Sequence, residues 1–263
     1  MNFLEDNVNY RHKTMPKSFL FALLLAAILA AGCQPQAAAT VEVTAMPLPV
    51  PTATPAPEIT AEAVSFDTED GVKIAASLFE GGDVAVLLAH QGSFRADQTS
   101  WHPFARTIAA EGFTALTVDF RSYGLSEGER HRSLHVNDLN AAIQFLRDRG
   151  FERIVCMGAS MGGTACIESA LNSNTDLAGL AIVASTMGAV DPADFSRLTL
   201  PKIFVCAEDE AGLSRSMTEM YDLSPEPKEI LFLPGTAHGT DMFDTESGPA
   251  LRDALVGFLD GLR

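Results

Sequence analysis

The hydrophobic pattern of the chain changes character near residue 63. From there to the C terminus, short continuous apolar runs alternate with stretches whose apolar residues recur every three to four positions. The runs are "VAVLLAH" (84–90), "FTALTVDF" (113–120), "RIVCMG" (153–158), "LAGLAIVAS" (177–185), "KIFVCAE" (202–208) and "EILFLPG" (229–235). Their near-continuous Val, Ile and Leu content predicts strands buried on both faces, as in a parallel sheet held between helix layers. Helices are predicted around "SWHPFARTIAAEG", over "LHVNDLNAAIQFLRDRG" until Gly150 stops it, and in the terminal "ALRDALVGFLDGLR". Ahead of this series, "AVSFDTEDGVKIAASLFE" reads as two strands joined at Glu69-Asp70-Gly71, a hairpin that adds an antiparallel edge. The expectation is one α/β domain over residues 63–263, with a mainly parallel eight-stranded sheet and helices on both faces.

The residues before this domain follow another pattern. "KSFLFALLLAAILAAGC" (17–33) is a lysine and a serine, fourteen apolar or small residues, and a cysteine, shorter than a comfortable bilayer span and suited to a signal peptide. Its ending, "LAAGC", resembles the lipobox of bacterial lipoproteins, with Ala30 where leucine is usual. That resemblance implies lipidation at Cys33, a membrane anchor through that lipid, and an exported, cell-envelope location. Met15 is an alternative start that makes the signal more compact, and an ordinary signal with an incidental cysteine is the plainer reading. Residues 34–62 hold six prolines and no glycine, which predicts an extended spacer of up to roughly 90 Å.

Composition narrows the function. A net charge of −16 argues against nucleic-acid partners, because no basic patch is present to displace phosphate counterions. The four cysteines are too scattered for a disulfide scaffold or a zinc site. Cys156, Cys166 and Cys206 lie in apolar strands or on a helix face and read as buried free thiols.

In a parallel sheet, chemistry gathers at the carboxyl ends of the strands. There "VCMGASMGGTA" (155–165) sets Ser160 between Gly158 and Gly162, in a strand-turn-helix context that fits a nucleophile elbow. The turn must be so sharp that side chains at the flanking glycines would clash, and the following helix aims its N-terminal N–H groups at a developing oxyanion. A serine hydroxyl needs a base. Of six histidines, His12 lies in or before the signal and His102, His131 and His135 fall in loops or helix starts, while His90 precedes the serine. His238, in "LPGTAHGTDMF" after the last strand, is the candidate base. The acid that orients it is sought at the end of the preceding strand, where Glu208, Asp209 and Glu210 stand together.

The stretches "LLAHQG", "TVDFRSYGLSEG", "MGASMGG", "VCAEDE" and "PGTAHGTDMF" resemble the α/β-hydrolase superfamily, near its dienelactone-hydrolase-like and serine-esterase members. The family's G-x-x-D spacing runs here from Ala207 to Glu210, so the resemblance favours Glu210 as triad acid, with Asp209 as the alternative. It places oxyanion N–H groups at Met161 and at Gln91 or Gly92, gives His90 a loop-shaping role, and makes Asp119 and Arg121 loop pins. It implies a serine hydrolase acting on small carboxylic esters through an acyl-enzyme, needing neither metal nor organic cofactor. The segment 186–201 is too short for a cap domain, so an open site is expected. A peptidase or amidase on the same triad, and a non-catalytic tethered binding domain, are the rival readings.

Overall fold

The computed structural model describes residues 59–263 except Phe94, Ser173, Asn174 and Ala211. The signal segment, Cys33 and nearly all of the proline-rich spacer lie outside the described residues.

The hairpin forms as expected. β1 (Glu62–Asp67) pairs antiparallel with β2 (Lys73–Phe79) in the register Glu62↔Leu78 to Asp67↔Lys73. The turn closes through the Thr68 and Val72 backbones, and the Thr68 hydroxyl donates to Asp70. Five parallel pairings then join β3 (Val84–Ala89), β4 (Thr114–Val118), β5 (Arg153–Ala159), β6 (Gly179–Val183), β7 (Lys202–Ala207) and β8 (Lys228–Leu233). The sheet order is β1-β2-β4-β3-β5-β6-β7-β8, with β2 antiparallel to β4. Residues of β3, β4, β6 and β7 are buried throughout, as two-sided burial requires.

The helices are α1 (His102–Ala110), α2 (His135–Asp148), α3 (Met161–Leu171), α4 (Leu213–Leu223) and α5 (Gly248–Asp260). The order reverses at β3: the chain steps one way to β4 and then crosses back to β5. Right-handed crossovers of opposite direction place α1 on one face and α2 and α3 on the other. At the C terminus, Arg263 bonds the Glu111 carbonyl and covers the Phe113 ring, which ties the chain end after α5 to the α1 side. α4 escapes a periodicity reading because its buried stripe is thin, Met217 and Met220 alone. Between β6 and β7 only a 3₁₀ helix, Pro192–Arg197, forms, and no cap covers the site among the described residues.

The structure departs from the sequence expectation at two of the cysteines. Cys156 and Cys166 are a disulfide pair, not free thiols, while Cys206 is free and buried. The elbow folds α3 back against β5 and brings two residues ten positions apart to a Cα separation of 5.8 Å, within reach of a bridge.

Candidate active site

Each candidate residue leaves the carboxyl end of a strand. Ser160 follows β5 and carries φ 49°, ψ −114°, a conformation that costs a non-glycine residue of order 1–3 kcal/mol. The flanking glycines are sterically required: a Cβ on Gly158 would collide with the Gly162 carbonyl, and one on Gly162 with the backbone of Ala89. The strained turn is held from outside. The Ser160 N–H donates to the Val183 carbonyl at 2.9 Å, and the buried Ser185 hydroxyl donates to the Ser160 carbonyl at 2.7 Å. Ser185 was not singled out from sequence, since a serine after a strand carries no signal of its own. Ser185→Ala removes one hydrogen bond from the elbow and should lower kcat about fivefold, as expected from roughly 1 kcal/mol. Steady-state kinetics with unchanged burst stoichiometry would check this.

His238 sits between β8 and the 3₁₀ helix Gly239–Asp244, and its Nδ1 is hydrogen-bonded to Oε1 of Glu210 in the turn after β7. The Glu210 side chain is 15% exposed and that of His238 is 37% exposed, so the pair lies at the site surface with its acid covered. Glu210 Oε2 is buried without a partner among the described residues. Asp209 is exposed; its backbone N–H donates to Gly235, and its side chain has no partner among the described residues. Of the two acids weighed from sequence, Glu210 is the one in contact with His238. No hydrogen bond joins Ser160 Oγ to His238 among the described residues, and such pairs commonly tighten only when substrate is bound.

The loop after β3 is built around His90. Its Nε2 accepts from the Phe120 N–H at 3.2 Å, so Nδ1 carries the proton and donates to the Gln91 carbonyl at 2.8 Å. Burial pushes its pKa down, which keeps this neutral tautomer. Gln91 also reaches across the site: Oε1 accepts from the N–H of Thr240 at 2.7 Å, two residues beyond His238. This link was missed from sequence, because the partners lie 149 positions apart. The N–H groups of Met161, Gln91 and Gly92 make no hydrogen bond within the described residues and stay free as donors. The Met161 sulfur accepts from Tyr123 Oη at 3.6 Å.

Asp119 and Arg121 tie the following loop. Asp119 accepts from Gln98 and from the Leu125 N–H, and Arg121 grips the buried Asp138 and the part-exposed Asp70. Hydrogen bonds to Asp70 raise the Arg121 pKa further, so the guanidinium stays charged.

His135, at the start of α2, is buried, and burial, with the nearby Arg121 guanidinium adding to it, depresses its pKa from the ordinary 6.5 to about 4. The folded value lies below the unfolded one, so the unfolded chain binds more protons between them. This contribution to stability is complete above pH 6.5 and is lost as pH falls towards 4. The decline in Tm over this window should be shallower in His135→Gln, and calorimetry at several pH values would measure it. An equal decline in both proteins would contradict the assignment. The Cys206 thiol, pushed up to about 12 by burial, is no competing nucleophile.

Beside Ser160 lies a cavity of about 400 Å³, lined on one side by Met161, Thr164, Ala165 and Glu168 of α3 and elsewhere by Arg132, His135 and Leu213. A larger open groove of about 730 Å³ at the amino ends of the strands, bordered by Glu80, Arg149 and Glu152, brings no nucleophile and base together.

A serine at a strained strand-to-helix turn, an imidazole-carboxylate pair on neighbouring strand ends and this sheet order define the α/β-hydrolase class, and the chain is an α/β hydrolase. Residues 84–238, more than half of the chain, match the hydrolase family described as serine aminopeptidase, S33, and the chain belongs to that family. It is similar to the Escherichia coli (strain K12) protein YfhR, at 23% identity over 230 residues covering 76% of this chain and 80% of that one. Among solved structures it resembles the Pyrococcus furiosus esterase Pf2001, with TM-score 0.68, 17% identity and coverage of 77% of this chain and 92% of that one. A thermophilic esterase from Thermogutta terrifontis matches with TM-score 0.63, 18% identity, and 77% and 99% coverage.

Proposed function

We propose that this hydrolase cleaves carboxylic esters through an acyl-enzyme, with Ser160 as nucleophile, His238 as general base and Glu210 orienting the imidazole. The observation that carries the reading is the Glu210–His238 hydrogen bond at the strand edge that also holds Ser160 at positive φ. His238 Nε2 takes the Ser160 proton as Oγ bonds to the carbonyl carbon. The oxyanion then accepts from the free N–H of Met161 and that of Gln91 or Gly92. Collapse of the tetrahedral intermediate expels the alcohol, protonated by His238. Water, deprotonated by His238, then releases the acid and restores Ser160. The two esterases that share the fold support an ester substrate.

The family's description as a serine aminopeptidase favours a second reading, amide cleavage at the same triad. Paired p-nitrophenyl esters and aminoacyl anilides separate the two, and faster anilide turnover would sink the esterase reading. A fluorophosphonate probe should label the wild type and not Ser160→Ala. Absence of labelling in the wild type would point to a non-catalytic domain.

We also propose that Cys33 is lipidated and holds the enzyme at the cell envelope. The Cys156–Cys166 pair supports this, since structural disulfides persist mainly in oxidising compartments. Cys33→Ser should move the enzyme from the membrane to the soluble fraction; retention in the membrane fraction would refute the anchor.

A further inference from the structure

The cavity beside Ser160 is largely the property of one helix face. Met161, Thr164, Ala165 and Glu168 stand at i, i+3, i+4 and i+7 of α3, so the helix that follows the nucleophile also builds the wall along which a substrate chain would lie. Three of the four are apolar or small. Glu168 is the sole carboxylate among the lining residues, and it makes no hydrogen bond or ion pair with any described residue. It is half-buried, and burial raises its pKa, the mark of a carboxylate losing water without gaining a counter-charge.

Other charges near the cavity do not supply one. Arg132 lines it but is exposed, where its field is screened, and it forms no ion pair with Glu168. His135 is neutral at physiological pH because its pKa is depressed to about 4. The protein as a whole carries −16, which concentrates cations at its surface and raises their encounter rate.

We infer that this cavity selects esters bearing a positively charged group held by the Glu168 carboxylate about 10 Å from the scissile carbonyl. Glu168 lies eight residues beyond Ser160, an axial rise of about 12 Å along the helix. Its side chain slants back towards the helix N-terminus, which shortens the gap to about 10 Å. An amino group on the carbon next to the carbonyl would fall far short of it. The cation must therefore end a chain of some six bonds, on either the acyl or the alcohol side. The inference rests on the ester-hydrolase reading and adds a substrate class to it.

Two pairs of substrates test it. One pair is the p-nitrophenyl esters of ω-trimethylammonio-hexanoic acid and of its uncharged tert-butyl isostere; the other places the same two groups on the alcohol of butyrate esters. In at least one pair, wild-type kcat/KM should favour the cationic ester about tenfold. Glu168→Gln should bring that ratio close to one, and Glu168→Lys should reverse it in favour of the uncharged ester. Thermal melts establish that each variant is folded. A ratio near one in both pairs for the wild type, or a wild-type preference that survives in both variants, would overturn the inference. So would preference for an ω-carboxylate ester that is lost in Arg132→Gln. Failure of the wild type to react with a fluorophosphonate or to turn over the uncharged esters would instead remove the ester-hydrolase reading itself, so the two failures are distinguishable.

Discussion

Glu210→Gln should lower kcat by about 10⁴-fold, while Asp209→Asn should change it less than about threefold. The asymmetry follows from contact. Glu210 Oε1 accepts the Nδ1 proton of His238; in the proposed mechanism this leaves Nε2 bare to take a proton from Ser160, and the carboxylate then stabilises the imidazolium. An amide in that position presents a donor as readily as an acceptor, so the imidazole is no longer held in the working tautomer. Oε2 of Glu210 is buried without a partner, so one oxygen, aimed at His238, carries the hydrogen bonding of this carboxylate among the described residues. Asp209 is exposed, and among the described residues its hydrogen bonding is that of its backbone N–H to Gly235, which the substitution leaves in place. Steady-state kinetics on a soluble p-nitrophenyl ester would read both variants. If Asp209→Asn proves the damaging change, the acid has been assigned to the wrong residue.

The largest effect on stability is expected at Arg121. Its side chain is 3% exposed and that of Asp138 is 0% exposed, with Nε and Oδ1 2.8 Å apart. Arg121→Ala leaves a fully buried carboxylate without its counter-charge and should cost about 3–5 kcal/mol of unfolding free energy. Replacing both partners, as in Arg121→Leu with Asp138→Leu, should cost less than the single change, because no fully buried charge is then orphaned; Asp70, which also loses Arg121, is part-exposed and solvated. Urea unfolding of the two singles and the double would measure the coupling. A double variant less stable than Arg121→Ala would show that the pair matters for something other than mutual neutralisation. The same loop carries Tyr123, whose hydroxyl meets the Met161 sulfur, so activity should fall along with stability.

These expectations differ in how far the sequence alone supports them. The Ser160 elbow was legible because its determinants are local: an apolar run, two glycines two residues from the serine, then a helix. The eight strands were legible because two-sided burial leaves continuous apolar runs, and the Glu69-Asp70-Gly71 turn marked the hairpin. His238 could be chosen over five other histidines by its place after the last strand. For the acid, family resemblance favoured Glu210 over Asp209, while the residues read by themselves reached only a cluster of neighbours, since adjacent side chains leave a turn in directions that only the folded loops decide.

What the sequence by itself determined is thus the α/β-hydrolase architecture and the sharp turn that carries Ser160, both written in short-range periodicity and backbone sterics. Tertiary structure alone decided which acid meets His238 across 28 residues and that Cys156 and Cys166 pair. It also decided that Gln91 braces Thr240 and that Glu168 lines the cavity beside Ser160. The physical reason is common to all four. Each depends on distances that are set by how strands, turns and helices pack, and hydrophobic periodicity shows which face is buried without saying what that face will meet.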